Sequence, residues 1–190
     1  MSESTASLRR KISGAGDLQS VVRTMKAVAA SSVGQYESSV HALADYYRSV
    51  ELGLVACLRE VGPTLLIPEC NGRTAARPIG AVVFGSDQGL VGQFNDIVAD
   101  CAIKTLAALP GKPRIWAVGE RVHARLADAG LPLAGLFAVP NSVKAITPLV
   151  GQILIESESR HRRGEVTELY LFHNRPTSDA GYAPVSQRLL

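Results

Sequence analysis

The chain has 190 residues, of which 46% are hydrophobic and 19% charged, with a formal net charge of +3. That balance supports one sizeable core plus an extension and excludes a disordered chain, and so small a net charge carries no argument for nucleic acid by itself. Cys57, Cys70 and Cys101 are too few and too scattered for a disulfide framework or a zinc site, which predicts reduced thiols in a reducing compartment. No apolar run approaches the ~20 residues of a membrane span, so membrane association is expected only through a partner.

The first predicted element is a helix from Ser7 to Val61. Apolar or small residues recur at Val22, Met25, Ala29, Val33, Tyr36, Val40, Leu43, Tyr47, Val50, Leu54, Cys57 and Val61 in steps of three and four. An extra step of four between Met25 and Val33 is a stutter, which locally unwinds a supercoil. At ~1.5 Å rise per residue such a helix reaches roughly 80 Å, longer than a compact domain of this size is wide. It must project or lie against another long element.

Ser13-Gly14-Ala15-Gly16-Asp17 is its weak point, since each glycine costs about 1 kcal/mol against alanine and Asp17 could cap a fresh helix. Thr24 to Ser31 carries almost no bulky side chains, and a helix that slim suits a close-fitting sleeve. Arg9, Arg10, Lys11, Arg23 and Lys26 face only Glu3 and Asp17 in charge up to Gln35, so the front of the helix wants an acidic neighbour.

Gly62, Pro63, Pro68, Asn71, Gly72 and Pro78 then end the helix, and 63–78 reads as a linker between the shaft helix, 1–62, and a second domain, 79–190. That domain alternates. Strands are predicted at Ile79–Phe84, Arg114–Val118, Leu133–Val139 and Val166–His173, with helices at Asn95–Leu109, Glu120–Ala129 and Ser142 to about His161. Tyr182–Leu189 could pair at the edge after a turn region at Arg175-Pro176. Alternation of this kind implies an α/β fold, a Rossmann-like, mostly parallel sheet with flanking helices, because parallel strands need crossover connections.

Gly85 to Asn95 joins a strand to a helix, the place where doubly wound folds bind phosphate. The spacing matches neither G-x-G-x-x-G nor the P-loop, so it reads as a tight turn whose glycines allow close packing. Asp87, Asp96, Asp100, His123, Asp128 and His173 are the conceivable acids, bases or ligands, and no motif groups them. Arg160-His161-Arg162-Arg163 could hold phosphate, but it falls where a helix ends and cations offset the dipole. No catalytic residue, cofactor site or metal site is therefore expected.

Two separated motifs match one family. Ser7-Leu8-Arg9-Arg10-Lys11-Ile12 followed by Thr24-Met25-Lys26-Ala27-Val28-Ala29-Ala30-Ser31 resembles the N-terminal helix of the gamma subunit of F-type ATP synthases, close to I-R-x-R-I and A-M-x-M-V-A-A-S. Ser86, Asp87, Gly89, Leu90, Gly92, Phe94 and Asn95 are similar to that family's S-D-R-G-L-C-G-x-F-N. Leu169 to Asn174 and Leu189-Leu190 resemble its last sheet strands. Thr24, Ala27, Ser32, Gln88 and Val91 depart from the pattern, as in a divergent copy.

The resemblance implies a non-catalytic rotor in the central stalk, at the cytoplasmic face of a bacterial inner membrane. Its partners would be the alpha and beta subunits of the catalytic ring, the epsilon subunit and the membrane c-ring. Arg9, Arg10, Lys11, Arg23, Met25 and Lys26 would meet the catalytic ring, and the seam from Val22 to Leu54 would pair with a second long helix. That second helix of the family is missing from this sequence, which together with the unpartnered seam reads as truncation. Two other readings remain open: a nucleotide-binding α/β enzyme with a helical oligomerisation arm, and a basic helical nucleic-acid adaptor.

Overall fold

The structure, a computed structural model, describes residues 4–61, 78–177 and 181–189. The predicted linker, 63–78, lies outside the described residues but for Pro78, as does Cys70. The chain divides into two compact units, Met1–Cys70 and Asn71–Leu190.

The first unit is built on one helix, α1 (Thr5–Val61), which runs unbroken through Ser13–Asp17. Once a helix is nucleated, each added residue gains a backbone bond, so two glycines cost propagation without stopping it. Its many hydroxyls are absorbed by the helix itself: Thr24 Oγ1 donates to the Ser20 carbonyl at 3.0 Å and Ser31 Oγ to that of Val28 at 2.7 Å. Ser39 and Ser49 bond back four residues in the same way. Such bonds satisfy the hydroxyls within the helix at a small cost to its stability and straightness.

The second unit carries β1 (Ile79–Phe84), α2 (Phe94–Ala108), β2 (Arg114–Val118), α3 (Glu120–Asp128), β3 (Leu133–Phe137), α4 (Val143–Arg162), β4 (Glu168–Pro176) and β5 (Tyr182–Arg188). The sheet order is β3-β2-β1-β4-β5, with β1 to β4 parallel and β5 antiparallel to β4. Strand β1 lies at the centre, and its Ile79 to Val83 are buried on both faces, as its unbroken apolar run requires.

Helices α2 and α3 cover one face. There Val98, Ala102, Leu106, Val122 and Leu126 pack with Ala81, Val83, Ile115 and Phe172. The other face takes α4, whose Leu149 and Ile153 pack with Val82, Trp116, Val118 and Val166.

Strands β3 and β4 differ in extent from expectation, and α4 has an irregular interior. Strand β3 stops at Phe137, because Val139 turns its N–H to Asp87 at 3.1 Å. Strand β4 begins at Glu168 and continues to Pro176, where a turn was expected: Arg175 pairs with Ala183 and Pro176 with Tyr182. The antiparallel partner extends the strand past its parallel neighbour, and proline is tolerated at its outer end. Helix α4 holds Pro148 in its interior, so the bond to the Lys144 carbonyl is lost there and the rest of the helix is kept by packing.

Candidate functional site

The order β3-β2-β1-β4-β5 reverses direction beside β1, so the crevice between β1 and β4, at their C-terminal ends, is where a doubly wound sheet takes a ligand. In this chain the motif loop fills that place with its own contacts. Asn174, just past the end of the β1–β4 pairing, donates from Nδ2 to the Phe94 carbonyl at 2.8 Å. The Phe94 ring meets Tyr182 of β5 edge-on, with centroids 5.2 Å apart. These contacts bridge the crevice, and the Asn174 Oδ1 is left buried beside them without a hydrogen-bond partner.

The loop itself is tied down residue by residue. Asn95 is buried; its Oδ1 accepts from the Ser86 N–H and its Nδ2 donates to Ser86 Oγ, both at 2.9 Å. Ser86 Oγ donates onward to the Gln88 carbonyl at 2.8 Å. The Asp87 carboxylate accepts the Glu120 N–H at 2.9 Å through Oδ1 and that of Val139 through Oδ2. One aspartate thus occupies the electropositive start of α3 and pins the segment after β3.

Two glycines permit this approach. A Cβ on Gly85 would come within 2.4 Å of Val122 Cβ, and one on Gly119, whose φ is 112°, within 2.8 Å of the Ser86 carbonyl carbon. Leu90 stands out at the loop tip, 74% exposed with φ 59°, a left-handed conformation that costs a leucine about 1–2 kcal/mol.

These contacts leave little for a phosphate. Glu120 N–H, at the start of α3, already faces Asp87, and Asp96 lies in the first turn of α2, where its charge opposes a bound anion. Two of the other candidate acids are engaged elsewhere: Arg125 holds Asp96 and Asp100, each at 3.0 Å, fastening α3 to α2. Among the described residues no group of His, Cys, Asp or Glu is placed to hold a metal ion.

The Arg160 to Arg163 run is likewise committed locally. Arg160 pairs with Glu156 at 2.9 Å and Glu165 at 2.8 Å, Arg163 reaches Glu165 at 3.6 Å, and Arg162 pairs with Glu158. Hydrogen bonding from Arg160 lowers the Glu165 pKa below the usual carboxylate range and raises that of Arg160. Burial, reinforced by Glu168, raises the Tyr170 phenol.

On α1, the residues expected at a ring contact, Arg9, Arg10, Lys11, Arg23, Met25 and Lys26, are all exposed. At about 100° per residue they encircle the helix as a collar and share no single stripe. The seam residues Val22, Met25, Val33, Val40, Leu43, Tyr47, Val50 and Leu54 are exposed too, and Tyr36 is half-buried. Sequence reasoning missed the clamps made by Asn174 and Arg125, which join residues 80 and 29 or 25 positions apart; no local pattern marks them.

The architecture is that of a long helix joined in sequence to a small α/β unit whose motif loop is tied to its own sheet and helices. A family model described as ATP synthase matches residues 4–190, and the chain belongs to that family. The ATP synthase gamma chain of Desulfitobacterium hafniense is 26% identical over 190 residues, covering 98% of this chain and 66% of the relative. That of Methylococcus capsulatus is 23% identical over 170 residues, covering 88% and 58%. The chain thus spans about three-fifths to two-thirds of the length of these relatives. In a cryo-EM structure of the Euglena gracilis mitochondrial ATP synthase rotor, one chain matches 95% of this chain over 60% of its own length, with TM-score 0.57 and 13% identity, a likeness of fold.

Proposed function

We propose that this chain serves as the gamma-type rotor of an ATP synthase central stalk, a non-catalytic part of the machine. The carrying observation is the family match over residues 4–190, with the long helix and the α/β unit in the family's order. The motif loop supports it, since the polar groups of Ser86, Asp87 and Asn95 are spent on the loop's own structure.

In this reading α1 enters the ring of alpha and beta subunits, with the slim stretch around Ala27 to Gly34 inside the sleeve. Arg9, Arg10, Lys11, Arg23, Met25 and Lys26 then meet acidic loops of that ring, and a collar rather than a stripe suits a shaft that presents every side to its surroundings during a turn. The α/β unit would bear on the epsilon subunit and the c-ring at the cytoplasmic face of the membrane. No helix among the described residues is long and apolar enough to cross a membrane, which agrees with attachment through partners.

The test is co-purification with the alpha and beta subunits of the same organism. The chain is expected to join the ring, and Arg23→Glu with Lys26→Glu to weaken that association more at low than at high salt, since exposed charges are screened within about 8 Å at physiological ionic strength. Failure of the unaltered chain to associate would overturn the reading.

A further inference from the structure

We draw no further inference here: the strongest candidate, the apolar groove between the edge strand β3 and α4 lined by Trp116, Leu136, Phe137 and Ile155, carries nothing because nothing in the structure shows what covers it.

Discussion

At the scale of single residues, Asp87 and Asn95 do the work that the loop's position in the fold would assign to a ligand. Asn95→Ala strips the Ser86 N–H of its acceptor inside a half-buried turn, and an unmade buried bond costs about 1–3 kcal/mol. Asp87→Ala loses two backbone partners on different elements and is expected to cost a similar amount. Denaturant unfolding of the full chain, followed through the Trp116 signal in the second core, reads both; a loss below about 0.5 kcal/mol for each would mean that the loop is held by packing alone.

The sequence motif marks this loop as a strand-to-helix turn and the resemblance marks its residues, but Asp87's two partners lie 33 and 52 positions away. No local signal reveals which backbone groups a carboxylate will meet after folding. The strained Leu90 was equally hidden, since leucine has no preference for a positive φ.

At the scale of elements, apolar periodicity and unbroken apolar runs located the helices and strands of the described residues. They failed where tertiary pairing decides length. Strand β4 outran its expected end because β5 supplied ladder partners as far as Pro176. Phe172, fully buried where β4 pairs with Val83, tests that region: Phe172→Ala is expected to cost about 3–5 kcal/mol, read as a shift in denaturant midpoint. A change below 1 kcal/mol would contradict its place in the core.

The junction of α4 and β4 adds a pH dependence. Glu165, hydrogen-bonded by Arg160 and flanked by Arg114 and Arg163, has a folded-state pKa below its ordinary value of 4.5. A lowered folded value means that its contribution is present above the ordinary carboxylate range and is lost as pH falls through the folded value. Protection factors for hydrogen exchange at Glu165 to Glu168, each taken against the intrinsic rate at that pH, should therefore fall in acid, and Glu165→Gln should flatten that fall. Persistence of the same acid sensitivity in the variant would assign it to other carboxylates.

At the scale of the whole molecule, the order of a slim basic helix and an α/β unit was legible, and with it the family; the contacts across the crevice were not, because Asn174, Phe94 and Tyr182 meet only when β4, β5 and α2 are assembled. Because the loop's polar groups are tied to its own structure, the chain should neither hydrolyse ATP nor bind it in a saturable way at micromolar concentration. Calorimetric titration decides, and saturable binding that Asn174→Ala alters would show a nucleotide site in the crevice.

The rotor reading carries a more demanding consequence, because a shaft must transmit force as well as occupy a hole. Met25 and Lys26 adjoin on the exposed collar, one offering a flexible apolar side chain and the other a charge. In an assembled complex containing this chain, Lys26→Glu turns attraction toward an acidic loop into repulsion, while Met25→Ala removes a packed side chain without altering charge. The first should lower the ratio of ions moved to ATP hydrolysed in vesicles, less so at high salt; the second should lower it independently of salt. Assembly should survive both, since contact is spread along a helix of 57 residues. An unchanged ratio for both variants, at low and at high salt, would reduce the collar to a solvated surface and move force transmission to another part of α1.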